Sequence, residues 1–117
     1  MLFVEYPKCS TCKKAKKWLE EHNVEFEDRH IKEHNPSVAE LRQWHAASGL
    51  TLKRFFNTSG MLYRSMELKD KLPSMSEDEQ FELLASDGML VKRPILVDRD
   101  TVLVGFREKD WEQALGQ

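Results

Sequence analysis

Cys9 and Cys12 are the only cysteines in this 117-residue chain, within Tyr6-Pro7-Lys8-Cys9-Ser10-Thr11-Cys12-Lys13-Lys14. Two sulfurs at this spacing can exchange electrons by opening and closing a disulfide, provided one is a thiolate open to attack and the other waits beside it. The flanking residues supply that setting. Leu2-Phe3-Val4-Glu5-Tyr6 reads as a strand, Pro7 breaks it, and a helical pattern begins at about Thr11. The pair falls at a strand-to-helix junction, where unpaired N–H groups and about half a positive charge favour a thiolate. Cys12, Ala15, Trp18 and Leu19 recur at helical spacing and form the buried face, leaving Lys13, Lys14, Lys16, Lys17, Glu20 and Glu21 for the rest. Cys12 starts that buried face and Cys9 precedes the first turn, open to solvent. On this reading Cys9 is the attacking nucleophile and Cys12 the resolving thiol.

Other uses of the motif fit less well. A structural zinc site takes about four ligands; there is no second cysteine pair, and His22, His30, His34 and His45 lack the close pairing that would complete one. The expectation is no metal, with two half-sites meeting across a dimer as the alternative. A permanent structural disulfide would close a very short loop at a helix start, in a chain that shows no signal peptide.

The elements that position the pair follow from periodicity. Val24-Glu25-Phe26-Glu27-Asp28 alternates as a strand after a helix stop at Asn23, giving a βαβ unit whose right-handed crossover makes its strands parallel. Asn35-Pro36 breaks the chain; Ser37-Val38-Ala39-Glu40 is a capping box for a helix through about Ala47, closed by Gly49, with Leu41 and Trp44 on its apolar side. Thr51 to Phe56 reads as a short helix, followed by the polar turn Asn57-Thr58-Ser59-Gly60 and a piece ended by Pro73. Ser76-Glu77-Asp78-Glu79 is a second capping box, and Gly88 is the expected stop of its helix. Pro94-Ile95-Leu96-Val97 and Thr101-Val102-Leu103-Val104 are strands joined by Asp98-Arg99-Asp100, and Lys109 to Leu115 closes the chain as a helix. The order βαβ, helices, ββα is that of an α/β thioredoxin-like fold: a four-stranded mixed sheet in one domain over residues 1–117, with an all-helical insertion at about 36–88. Met61, Met66, Met75, Met89 and the aromatics of that block read as packing.

Composition bounds the rest. A 40% hydrophobic chain of this length fits one domain, and a net charge of −2 gives no general pull toward nucleic acid. No apolar run approaches the roughly 20 residues of a membrane span. A soluble, cytoplasmic protein without membrane attachment is expected.

With motif and element order together, the chain resembles the arsenate reductase family, on the branch of the Spx-type regulators and related small oxidoreductases. The resemblance runs nearly end to end. It rests on Tyr6-Pro7-Lys8-Cys9-Ser10-Thr11-Cys12, Phe55-Phe56-Asn57-Thr58-Ser59-Gly60, Asp87-Gly88-Met89-Leu90-Val91-Lys92-Arg93-Pro94-Ile95 and Val104-Gly105-Phe106-Arg107. The family places its reactive cysteine in Asn-Pro-x-Cys, which Cys9 matches with Tyr6 in place of the Asn. Of the family's three oxyanion-binding arginines, Arg93 matches one, Arg107 falls near another, and Asn57 stands where the third would be; Arg54 and Arg64 are nearby, but their spacing does not match. Cys12 is a further departure, since single-cysteine members rely on glutathione. The resemblance also implies a cis bond at Pro94, with Arg93 holding a cation near Cys9. A solvated strand-end arginine is the ordinary alternative for Arg93 and for Arg107, and the lysines after Cys12 make a solvated face that also raises the local potential.

Two function classes follow. The first is a cytosolic thiol–disulfide oxidoreductase acting on a disulfide, or on a small oxyanion held by Arg93 and Arg107. It needs no bound cofactor, and its dithiol is restored by glutathione, thioredoxin or glutaredoxin. The second is a redox-switched regulator of the Spx type that binds RNA polymerase. The cationic residues around one cysteine, and a chain with little beyond the closing helix before Gln117, favour the enzyme.

Overall fold

The computed structural model describes residues 1–115 of the chain; Gly116 and Gln117, part of the expected 1–117 domain, lie outside the described residues. β1 (Leu2–Glu5) leads through the cysteine loop into α1 (Ser10–Glu21), which returns to β2 (Glu27–His30). Helices α2 (Val38–Ser48), α3 (Met61–Ser65), α4 (Leu68–Lys71) and α5 (Glu77–Ser86) follow, with 3-10 turns at Leu52–Phe55, Leu72–Ser74 and Gly88–Leu90. The hairpin β3 (Ile95–Asp98) and β4 (Thr101–Val104) and the helix α6 (Glu108–Ala114) complete the order. The sheet runs β2-β1-β3-β4. β1 and β2 are parallel, and the β1–β3 and β3–β4 pairs are antiparallel.

Alternation along the central strands divides the core in two. Phe3 and its partner Leu96 pack with Ala15, Trp18, Leu19 and Trp111 on the α1 and α6 side. Val4 and its partner Ile95 face the helical block, with Ile31, Leu41, Trp44, Phe55, Phe56, Leu84 and Leu90 among their companions. This is the two-sided burial of an inner strand. It also fixes how the cysteine loop sits, because α1 is held by Ala15, Trp18 and Leu19 at a set height above β1.

The turn signals act largely as read. Asn23 adopts φ 56° after α1, Gly49 adopts φ 70° after α2, and both expected capping boxes are complete. Three readings need correction. The second strand lies at Glu27–His30 rather than 24–28: Val24 and Phe26 alternate because they pack on the α1-side cluster, whereas the ladder starts where Leu2 meets Glu27. The Thr51 to Phe56 segment is a 3-10 turn over Leu52–Phe55, too short for an α-helical ladder. Gly88 does not end α5 as a left-handed cap; α5 stops at Ser86, and Gly88 opens the next turn. Glycine is required there by space, since a Cβ would stand 2.2 Å from the Ile31 carbonyl oxygen.

Candidate active site

Cys9 is the N-cap residue of α1, with extended backbone at φ −87° and ψ 125°. Its own N–H donates to the Tyr6 carbonyl at 2.9 Å, which closes the loop across Pro7 and Lys8. The Cys9 thiol makes no capping hydrogen bond. The N–H groups of Thr11 and Cys12 face its sulfur, as does the Cys12 thiol. Burial opposes a charge there, but those donors and the Arg93 guanidinium outweigh it, so the Cys9 thiol sits below its ordinary value.

Cys12 is the opposite case. It is fully buried, and burial pushes its thiol up to about 12; the Tyr6 N–H works against the rise, while the neighbouring Cys9 sulfur and the Glu5 carboxylate add to it. Both cysteines are free thiols. One turn of helix thus holds a partly exposed sulfur that ionises readily beside a buried one that keeps its proton.

Arg93 reaches the pair from the segment entering β3. Its peptide bond to Pro94 is cis. The guanidinium stands over the Tyr6 ring at 5.2 Å, and Nη1 donates weakly to the Met89 and Val91 carbonyls at 3.4 and 3.5 Å. Its Nε is buried without a hydrogen-bond partner. A buried donor left in this state is well suited to an anion beside Cys9.

The other expected anion-site residues have neighbours of their own. Arg107 is the exposed N-cap of α6 and shares a cleft with Arg54, Ser48 and Asp110; Arg93, and not Arg107, is the arginine whose charge acts on Cys9. Arg54 also lines a neighbouring cleft with Lys53, Thr58 and Lys92. Asn57 serves its turn: its N–H donates to the Leu90 carbonyl at 2.8 Å, and its amide lies so close over Gly60 that a Cβ there would be 2.7 Å away. Among the described residues, no group of three or more His, Cys, Asp or Glu side chains is placed to hold a metal ion, and no helix is long and apolar enough to cross a membrane.

Three residues near the pair escaped the sequence reading. Tyr6 supplies the ring beneath Arg93, and its position at the end of an apolar strand gave no hint of that. Glu5 is buried, at 3% exposure, while Lys16, read as part of a solvated face, lies 3.8 Å from its carboxylate and 2.8 Å from that of Asp28. The available signal was a charged residue inside a strand whose neighbours are apolar on both faces.

A thioredoxin-like sheet carrying a C-x-x-C helix start and a cis proline opposite it defines the class of protein. The chain belongs to the ArsC family, whose model matches residues 4–114. It is 59% identical over 113 residues to the uncharacterized protein YusI of Bacillus subtilis (strain 168), covering 97% of this chain and 96% of YusI. It is 30% identical over 106 residues to the regulatory protein MgsR of the same organism, covering 91% and 82%. The crystal structure of an ArsC family related protein from Bacteroides fragilis superposes with a TM-score of 0.93 at 54% identity, covering 96% of this chain and 94% of that one.

Proposed function

We propose that the protein is a cytosolic thiol–disulfide oxidoreductase with Cys9 as nucleophile and Cys12 as resolving thiol. The supporting observation is the asymmetry of the pair: Cys9 is half-buried, with backbone N–H groups and the Arg93 charge holding its thiol below the ordinary value, while burial pushes the Cys12 thiol up to about 12. The Cys9 thiolate attacks a disulfide R–S–S–R, forming a Cys9–S–R bond and releasing one R–S⁻. Cys12 then attacks the Cys9 sulfur, closing the Cys9–Cys12 disulfide and releasing the second. The two electrons given up by the dithiol return from glutathione, thioredoxin or glutaredoxin, and no bound cofactor takes part. Arg93 holds an anionic group of the substrate beside Cys9.

Arsenate is a poor substrate on this reading. Asn57 offers no guanidinium, Arg107 lies in the Arg54 cleft, and a missing charge-assisted donor costs about 1.5–3 kcal/mol, at least tenfold in binding. The test is NADPH consumption through thioredoxin and glutaredoxin systems, with model disulfides and arsenate as alternative substrates. Measurable disulfide turnover and weak arsenate turnover are expected; arsenate reduction at the rate of a dedicated enzyme overturns the specificity argument.

A second reading is favoured by one observation, the match of 91% of the chain to the regulatory protein MgsR. In it, Cys9–Cys12 oxidation switches a contact with RNA polymerase. Polymerase recovered in stoichiometric amount on the immobilised protein, without disulfide turnover, supports that reading over catalysis.

A further inference from the structure

Of the buried residues that pack the helical block, the three with the most exposure are Leu52 and Tyr63, at 7%, and Leu72, at 6%. All three line one cavity of about 270 Å³. It lies between the Leu52–Phe55 turn, α3, the end of α4 with the turn after it, and the start of α5. Leu52, Leu72 and Pro73, with Tyr63, give it apolar walls, so the core of the helical block is open to the outside here. An apolar cavity of about 150 Å³ is enough for benzene. This one has room for a small organic molecule, but it falls short of the roughly 300–1,000 Å³ that drug-sized ligands take.

The polar groups at the cavity are incompletely used. A buried tyrosine hydroxyl ordinarily finds a hydrogen-bond partner. The Tyr63 ring stands 6.4 Å from that of Phe56, yet its hydroxyl makes no hydrogen bond among the described residues. Gln80 Nε2 donates to the Leu72 and Met75 carbonyls at 3.5 and 3.2 Å, which leaves the side-chain carbonyl oxygen open. Lys53, Lys69 and Glu77 complete the lining; all three are exposed, and none is in an ion pair among the described residues. Two ammonium groups against one carboxylate leave the mouth net positive.

We propose that this cavity binds a small amphipathic carboxylate, its hydrocarbon part against Leu52, Leu72 and Pro73 and its charged end toward Lys53 and Lys69, with the Tyr63 hydroxyl as a further donor. Each part of such a ligand meets a group that the protein leaves unsatisfied. The hydrocarbon covers apolar wall, worth about 25 cal/mol per Å² removed from water. The carboxylate accepts from donors that have no partner of their own. A neutral alcohol of the same length satisfies only the walls, acetate satisfies only the donors, and a cationic amphiphile meets a mouth of its own sign. The assignment is independent of the chemistry at Cys9.

The test is an amide NMR titration of the full-length protein with octanoate and hydrocinnamate, an alkyl and an aryl carboxylate, against octanol and acetate. At least one of the two carboxylates should give saturable shifts centred on Leu52, Tyr63, Leu72 and Gln80 and bind on the order of tenfold more tightly than octanol, a gap that narrows at high salt. Acetate should give none. Lys53→Met combined with Lys69→Met, both at exposed positions where substitution leaves the fold intact, should bring the carboxylate down to the affinity of octanol. Glu77→Gln should tighten carboxylate binding, and Tyr63→Phe should weaken it severalfold. Octanol binding as tightly as either carboxylate, shifts centred on another surface, or a double lysine variant of unchanged affinity overturns the site. The absence of saturable shifts with both carboxylates overturns it equally.

Discussion

Helices α2 and α5 each begin with a serine whose hydroxyl accepts the N–H three residues on, while a glutamate at that third position reaches back to the serine N–H. Glu40 is further gripped by Arg29, at 2.6 and 2.9 Å, and Glu77, Asp78 and Glu79 crowd the first turn of α5. Helix α1 has none of this. It opens on Cys9 with no cap bond, carries no acidic residue in its first turn, and continues into Lys13 and Lys14. A serine cap is worth about 1 kcal/mol and an acidic first turn a few tenths more. The contrast shows what the helical block is stabilised for and what α1 gives up: its free N–H groups face a sulfur, and a carboxylate placed there would repel the thiolate they serve.

That comparison can be broken most decisively at the sulfur. Cys9→Ser should abolish disulfide turnover with little change in melting temperature, measured by coupled assay and calorimetry, because Cys9 lies at the start of a helix anchored by Trp18 and Leu19. Gly88→Ala attacks the opposite region, where the helical block meets the chain beyond β2. The new Cβ would stand 2.2 Å from the Ile31 oxygen, so about 3 kcal/mol should be lost in denaturant titration.

Glu5 gives the next largest effect, and its sign depends on pH. Its carboxyl titrates at about 7 in the fold against an ordinary 4.5, so its contribution is fully present below 4.5 and is lost as pH rises through 7. Glu5→Gln should therefore be about 2 kcal/mol more stable than the wild type at about pH 8 and nearly equal to it at about pH 4, by urea unfolding. Ser37→Ala or Ser76→Ala should each cost about 1 kcal/mol while leaving turnover unchanged. Smallest is Thr11→Glu, which places an acid in the first turn of α1. It should add a few tenths of a kcal/mol to the helix and raise the Cys9 titration, read by thiolate absorbance in a Cys12→Ser background.

How legible each part was follows from the range of its interactions. The capping boxes, Asn23 and Gly49 are satisfied within a few residues, and the sequence patterns for them were correct. Helical spacing alone also put Cys12 on the buried face of α1 and Cys9 ahead of its first turn. Gly88 was misread because its requirement is a contact with Ile31, 57 positions away in the chain numbering. β2 was misplaced because Val24 and Phe26 contact the core without joining the ladder. Glu5 and Lys16 belong to one cluster only after α1 folds back over β1, so no local pattern could mark them.

β2 is the outermost strand on the cysteine side, and its whole length reads Glu27-Asp28-Arg29-His30. An incoming strand docking on that rim would have to strip water from two carboxylates and compete with Glu40 for Arg29 and with Lys16 for Asp28. The rim is therefore a poor template for aggregation, which lets the sheet keep one open side next to a reactive thiol without inviting another chain to zip onto it.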